Sequence, residues 1–193
     1  MKRRVIVLII AAVLVPALLI WLLWANSSPA ATQVTVASGA LPGAFEGFKI
    51  AHVSDLHNAV FGRKNEKLLS LIRAAEPDII AITGDLIDSR HTDIDSALAF
   101  VEAAAEIAPV YYVTGNHEWW SGEAERICDH MEALGVHVLR GDAMTMELNG
   151  EKITFCGIDD PDSGESGQQL SQLEKCDKGD TFTILLAHRP EEI

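Results

Sequence analysis

Short apolar runs and helix-like periodic segments alternate along the middle of the chain. The runs "FKIAHV" (48–53), "DIIAIT" (78–83) and "VYYVT" (110–114) are typical of strands. Between them, 64–75 and 93–108 repeat apolar residues at helical spacing. This β-α-β-α-β order indicates parallel strands joined by right-handed helical connections. The pattern therefore predicts an α/β fold.

The pattern changes in the last third of the chain, where an antiparallel hairpin enters. We predict a helix at 121–135, a strand at 136–140, a hairpin at 144–158, a short helix at 170–176 and a buried strand at 181–190. The pair Asn149-Gly150 suits the tight turn of the hairpin, because both central positions of such a turn need a positive φ. The sheet is therefore expected to be mixed.

The N-terminal segment is apolar enough to cross a membrane. Residues 5–24 contain no charged side chain, and 20 helical residues span a hydrocarbon layer of about 30 Å. The basic cluster in residues 1–4 has no counterpart after the segment, which favours a cytoplasmic N-terminus and an extracytoplasmic domain. We predict a single-pass anchor in the cell membrane. A cleaved signal peptide is the alternative, although signal cores have only about 7–15 apolar residues.

The composition of the chain after the anchor separates a tether from a folded domain and limits the possible partners. Residues 25–47 are rich in Ser, Ala, Gly and Pro and suit a tether, so the folded domain is expected at 48–193. The net charge of −13 argues against nucleic acid or anionic lipid headgroups as partners. Three cysteines without a CxxC pair indicate neither a disulfide framework nor a thiolate metal site, but buried or half-buried thiols.

Polar side chains follow each predicted strand of the alternating region. Asp55 and His57 follow the first strand, Asp85 the second and Asn116 the third, while His188 follows the last strand of the chain. The first three sites are one β-α-β unit apart, so parallel strands would bring them to one edge of the sheet. Carboxylate, amide and imidazole groups are ligands of divalent transition metals. The spacing therefore predicts a metal site at this edge.

Four motifs in order, "SDLH", "GDLID", "GNHE" and "LLAHRP", cover residues 48–190. This order resembles the calcineurin-like metallophosphoesterase superfamily, in particular a membrane-anchored bacterial branch similar to UDP-2,3-diacylglucosamine hydrolases. The resemblance implies an αββα sandwich of two packed sheets between helical layers. It also implies a metal-dependent hydrolase of a phosphodiester or pyrophosphate, with a lipid-linked substrate as one option.

The resemblance assigns metal ligands position by position. It implies that Asp55 and His57 bind one divalent ion, that Asn116 and His188 bind a second, and that Asp85 bridges both. The ions would be Mn, Fe or Zn, because all three accept these ligands. A hydroxide shared by two ions about 3.5–4 Å apart would then attack phosphorus.

The resemblance also implies two catalytic residues. His117 matches the histidine that faces the phosphate and assists the leaving group, and Asp88 matches the carboxylate that orients it. Glu118 matches an acid that supports the loop, so it is left out of the ligand set. Trp119 and Trp120 lie beside the site, where pocket lining and loop packing are both open interpretations.

The printed chain departs from the superfamily pattern at its end. The superfamily carries a Gly-His-x-His motif on a later loop, whereas this sequence ends "HRPEEI". Three protein ligands per ion would remain, so the 193-residue form is expected to show little activity. The alternative function is a non-catalytic membrane-anchored domain of the same fold.

Overall fold

The computed structural model describes residues 2–26, 28–176 and 181–192. The helices are α1 (Lys2–Asn26), α2 (Glu66–Ala75), α3 (Ile94–Ala105), α4 (Asn116–Ser121), α5 (Ala124–Ala133) and α6 (Ser166–Cys176). The strands are β1 (Ile50–Val53), β2 (Ile79–Thr83), β3 (Val110–Val113), β4 (His137–Val138), β5 (Asp142–Leu148), β6 (Glu151–Gly157) and β7 (Phe182–Leu186).

The first sheet is parallel throughout and has the strand order β1-β2-β3-β4. All residues of β2 and β3 are buried, because both faces of these strands are covered. One face, including Ile80, Ile82 and Tyr112, packs with apolar residues of α2, α3 and α5. The predicted β-α-β-α-β order is confirmed in this sheet.

The second sheet packs against the other face of the first. Its strand order is β5-β6-β7, with β5 antiparallel and β7 parallel to β6. Phe155 and Leu186 from this sheet share a buried cluster with Ile79 and Tyr111 of the first. On its outer face, Leu173 of α6 packs in a cluster with residues at the end of β6. The expected sandwich of two sheets between helical layers is confirmed, and the mixed strand directions lie entirely in the second sheet.

Three local predictions need correction. The helix expected at 121–135 is divided, because Gly122 has a φ of 76° and ends the short helix α4 before α5 begins. The strand expected at 136–140 has only two residues. The last strand, β7, is only partly buried, with Leu185 42% exposed, because among the described residues it pairs with β6 alone.

The segment before β1 contributes to the core. Phe45, within the predicted tether, is 1% exposed and packs edge-on against Phe48 with a centroid distance of 5.5 Å. It belongs to the buried cluster between the two sheets. The division of the chain into anchor, tether and domain stays a prediction, but the packed residues begin before Phe48.

Helix α1 is long and apolar enough to cross a membrane. The candidate span, Arg3–Leu22, has a mean hydropathy of 3.2 and no part of it is buried against the domain. It overlaps the predicted anchor at 5–24.

Two of the three cysteines, Cys128 and Cys156, are buried, as predicted. Burial raises the pKa of the Cys128 thiol to about 12, so this thiol stays protonated at neutral pH. Cys156 is also buried. The side chain of Cys176 lies outside the described residues.

Candidate metal centre

The carboxyl ends of β1 and β2 are joined by backbone hydrogen bonds. The Asp55 amide donates to the Gly84 carbonyl at 3.2 Å, and the His57 amide donates to the Asp85 carbonyl at 2.9 Å. Asp55, His57 and Asp85 have positive φ values of 56°, 46° and 53°. Non-glycine residues rarely adopt this conformation, and in native proteins it concentrates at functional sites. These loops therefore hold their side chains in a costly arrangement.

Asp85 lies at the centre of the predicted ligands. Its Oδ2 atom is 3.5 Å from Nε2 of His57 and 3.5 Å from Nε2 of His188. Its Oδ1 atom accepts the backbone N–H of His117 at 2.9 Å. Burial raises the pKa of Asp85, but the hydrogen bonds from His188 and the His117 amide outweigh burial and hold that pKa below its usual value. One carboxylate oxygen therefore faces two imidazole nitrogens.

His188 comes from the second sheet and is oriented by the first. Its Nδ1 atom is 2.7 Å from the Thr83 carbonyl, and its Nε2 atom is 3.1 Å from Oδ1 of Asn116. Because a carbonyl only accepts, Nδ1 carries a proton, and in the neutral ring the Nε2 lone pair faces the site. A carbonyl that orients the remote nitrogen in this way commonly accompanies histidine ligands of metals. Burial lowers the pKa of His188, but bonds with Asp85 and Thr83 raise it to about 9 overall.

The possible ligand atoms form two groups that share Asp85. His57, Asp85 and His117 each offer an atom within 4.8 Å of the others, and so do Asp55, Asp85 and His188. Two atoms that bind one ion at about 2.0–2.2 Å lie about 3.0–3.5 Å apart. The 3.5 Å separations at Asp85 match that spacing, so these residues fit divalent ions.

All five predicted ligands come together, and their distances do not assign each of them to a single ion. Asn116 contacts His188, as the implied second site requires. His57 Nε2 is 3.6 Å from Oδ1 of Asp55, the partner implied for the first ion, and 3.5 Å from Asp85. Asp55 also forms a possible ligand group with His188. The assignment of each residue to a particular ion stays a prediction.

His117 is oriented by a backbone group that sequence analysis missed. The Ser89 N–H donates to Nδ1 of His117 at 3.0 Å, so the neutral imidazole carries its proton on Nε2. Oδ1 of Asp88 is 3.8 Å from the same nitrogen and accepts the Arg90 amide instead. A backbone donor has no residue-specific signal, so no motif could reveal Ser89. The orienting role of Asp88 stays a prediction.

Glu118 ties together the loops that follow β2 and β3. Its side chain is 0% exposed, and Oε2 accepts N–H groups of Asp85 and Gly115, each at 2.8 Å. Oε1 accepts the Leu86 N–H at 2.8 Å. Burial raises the pKa of Glu118, and the Gly115 and Asp85 amides oppose that shift. The expected supporting role of this acid is confirmed.

The same two loops approach too closely for any side chain other than hydrogen. A Cβ atom on Gly115 would lie 2.2 Å from Oδ1 of Asp85, and one on Gly84 would lie 2.3 Å from the Gly115 nitrogen. Gly84 also has a φ of 82°. The glycine in each of the motifs "GDLID" and "GNHE" therefore permits the close approach that positions Asp85.

The fold and the rim of carboxylates and imidazoles define the class as a metal-binding α/β domain of the phosphoesterase type. The family described as calcineurin-like phosphoesterase matches residues 48–192. The chain belongs to this family. Membership confirms the resemblance noted from the four motifs at superfamily level, while the narrower likeness to UDP-2,3-diacylglucosamine hydrolases stays a prediction.

Curated relatives and solved structures agree with this family. A Bos taurus transmembrane protein with metallophosphoesterase domain is 31% identical over 183 residues, covering 88% of this chain and 41% of the relative. An uncharacterized metallophosphoesterase from Aquifex aeolicus is 31% identical over 167 residues, covering 82% of this chain and 61% of the relative. The chain thus spans less than two thirds of the length of either relative.

A solved structure shares the fold. The phosphopantetheinyl hydrolase from Mycobacterium tuberculosis superposes with a TM-score of 0.55 at 16% identity, covering 79% of this chain and 70% of that chain.

A Danio rerio relative, 28% identical and covering 98% of this chain and 45% of the relative, is also named a transmembrane protein with metallophosphoesterase domain. The apolar helix α1 and these relatives' names support a membrane protein.

Proposed function

We propose that this domain hydrolyses phosphoesters with two divalent metal ions. The residues that would hold them are Asp55, His57, Asp85, Asn116 and His188. The observation that carries the proposal is the position of Asp85, whose Oδ2 atom is equally distant, at 3.5 Å, from the Nε2 atoms of two histidines on different sheets. A carboxylate between two nitrogen ligands suits a bridge between two ions.

Bound metal ions and side chains of the protein would supply different parts of the hydrolysis. Bound divalent ions polarise a phosphoryl oxygen and provide a nucleophile at neutral pH. His117 offers an Nε2 proton, because its Nδ1 atom is occupied by the Ser89 amide. We assign to His117 the donation of this proton to the departing oxygen, as a general acid. The two carboxylates Asp55 and Asp85 only partly offset two divalent charges, so the loaded site would attract an anionic phosphoester.

Substrate and location are the finer parts of the proposal. A phosphodiester or pyrophosphate is the proposed substrate class, with Mn, Fe or Zn as the metal. The residues between α1 and Gly43 can extend at most about 60 Å, so an inserted α1 would keep the domain near the bilayer. This proximity supports a lipid-linked substrate. The basic residues in 2–4 support a cytoplasmic N-terminus and an extracytoplasmic domain.

Metal binding tests the proposal directly. We expect the full chain in detergent micelles to bind two Mn²⁺ ions by calorimetry and to show the electron paramagnetic resonance spectrum of a coupled pair. Asp85→Ala should eliminate the coupled spectrum and weaken binding by more than the roughly 10–100-fold typical of an indirect contact. Asp129→Ala, which removes an exposed aspartate of α5, is the matched control.

Two outcomes would change the conclusion. A coupled pair that persists in Asp85→Ala would show that this carboxylate does not bridge the ions. Two bound ions without hydrolysis of an aryl phosphodiester, in a longer form that also carries the Gly-His-x-His motif, would favour the non-catalytic alternative.

A further inference from the structure

The indole of Trp120 is unusually exposed for an aromatic side chain beside a candidate active site. It is 61% exposed. Among the described residues of the domain, four other large apolar side chains are exposed, and all four are aliphatic: Ile50, Val60, Leu148 and Leu185. A single exposed apolar side chain is common on protein surfaces, so the orientation of Trp120 and its contact with the candidate site carry the inference.

Trp120 is held in one orientation by a series of polar contacts. Its Nε1–H donates to Oδ2 of Asp162 at 2.8 Å, and the same oxygen is 2.9 Å from the Arg189 guanidinium. Arg189 also pairs with Asp160, whose side chain is completely buried. The exposed ring is therefore fixed through two links to the core. A ligand that stacks on it would lose little affinity to ordering of the side chain.

The Trp120 ring lies next to His117, the residue proposed to protonate the leaving group. The Trp120 ring centroid is 5.1 Å from that of His117, which is in turn 4.4 Å from that of His57. Three rings are thus in successive contact: those of a candidate metal ligand, of the candidate acid and of the exposed indole. An alcohol that accepts a proton from His117 must lie beside that imidazole, and the indole of Trp120 is an exposed aromatic ring in contact with it.

Trp119 is different, although it is adjacent in sequence. Its Nε1–H donates to the Thr114 hydroxyl at 2.9 Å, and the Arg140 guanidinium lies 5.5 Å from its ring centroid. Both contacts belong to the protein, so loop packing accounts for Trp119. Of the two interpretations that the sequence left open, loop packing therefore applies to Trp119, and pocket lining remains for Trp120.

We propose that Trp120 is a stacking platform for the leaving group, so that the substrate releases an alcohol that carries a flat ring, such as an aryl group or a nucleobase. This inference rests on the proposed phosphoesterase function. A flat ring needs one aromatic face, whereas an acyl chain needs several apolar walls. Among the described residues, the Trp120 ring lies against the His117 imidazole and donates to the Asp162 carboxylate, and neither group is a wall of that kind.

Equilibrium binding of non-hydrolysable phosphonates tests the platform without turnover. We would measure dissociation constants of 1-naphthylmethylphosphonate, octylphosphonate and methylphosphonate by calorimetry, with the full chain in micelles and Mn²⁺ present. We expect the naphthyl ligand to bind about 5- to 150-fold more tightly than methylphosphonate, the range for one aromatic stack. Trp120→Ala should remove this preference and Trp120→Phe should retain part of it. Leu148→Ala, which removes an exposed apolar side chain from the hairpin, should preserve it.

The outcomes separate the platform from the function on which it rests. An unchanged naphthyl preference in Trp120→Ala, or an equal gain for octylphosphonate, would overturn the flat-ring platform. Equal affinity for all three phosphonates would overturn it too, while leaving the metal-dependent phosphate site intact. Failure of all three and of inorganic phosphate to bind with Mn²⁺ would instead overturn the proposed function. Matching melting temperatures for wild type and Trp120→Phe would confirm that the comparison is made between folded proteins.

Discussion

Replacing Glu118 by glutamine should destabilise the domain far more than a change of one atom suggests. Each carboxylate oxygen of Glu118 accepts two backbone N–H groups: Oε2 those of Asp85 and Gly115, and Oε1 those of Leu86 and, at 3.3 Å, Ile87. Glutamine has one oxygen acceptor, and its NH₂ group can only donate. Whichever way the amide is turned, one pair of N–H groups faces another donor.

The cost follows from the number of donors left without an acceptor. A buried donor without a partner costs about 1–3 kcal/mol, so two of them cost about 2–6 kcal/mol. Domains of this size are stable by about 5–15 kcal/mol, so Glu118→Gln should remain folded but be clearly weaker. Glu118→Ala leaves all four N–H groups without the carboxylate and should not fold stably.

Urea unfolding of the full chain in micelles, followed by near-ultraviolet circular dichroism, would measure this loss. Near-ultraviolet signals report the packed aromatic residues of the domain rather than helix α1, and linear extrapolation gives the free energy of unfolding. Glu132→Gln, on the exposed side of α5, makes the same chemical change at the surface. Its free energy of unfolding should remain within about 0.5 kcal/mol of wild type.

A small effect would refute the reasoning. If Glu118→Gln unfolded within about 1 kcal/mol of wild type, the two displaced N–H groups would have found other acceptors. The carboxylate would then not be the group that holds the two loops together. Because Asp85 is on one of these loops, weaker Mn²⁺ binding by Glu118→Gln should accompany the lost stability.

Three further predictions concern the core, the acid and the membrane. Tyr112→Phe should raise the melting temperature by several degrees in calorimetry. The buried Tyr112 hydroxyl has no hydrogen-bond partner among the described residues, and an unpaired group of this kind costs about 1–3 kcal/mol of stability. A lower melting temperature would show that the hydroxyl has a partner. In a longer form that also carries the Gly-His-x-His motif, His117→Ala should lower kcat for an aryl phosphodiester by about 10²–10⁴ while retaining both metals, and unchanged kcat would exclude His117 as the acid. Protease added to intact cells should cleave the domain, whereas complete protection until lysis would reverse the proposed topology.

The sequence determined the first sheet and most of the candidate site. A strand buried on both faces must be apolar throughout, so 79–83 and 110–113 could be recognised from residue type alone. The carboxyl ends of parallel strands share an edge, so Asp55, Asp85 and Asn116 could be expected to meet. No structure was needed for that inference.

Other predictions depended on the family pattern rather than on the spacing of residues. His188 reaches the site from β7 of the second sheet, and its Nδ1 atom contacts the carbonyl of Thr83, which is 105 positions earlier in the chain. Local periodicity contains no information about which strands of separate sheets meet. Only the order of motifs indicated that His188 belonged to the same site.

The tertiary structure alone decided how the side chains are aimed. Asp55, His57 and Asp85 have positive φ values, so the directions of their side chains do not follow from their spacing along a regular strand. The Ser89 amide donates through its backbone to His117, so no residue type signals it. Trp119 and Trp120 are adjacent in sequence, yet they donate to different groups of the fold, the Thr114 hydroxyl and the Asp162 carboxylate, and only Trp120 is left largely exposed. Residue type determines which chemistry is available, whereas backbone conformation and packing between distant segments determine where that chemistry is directed.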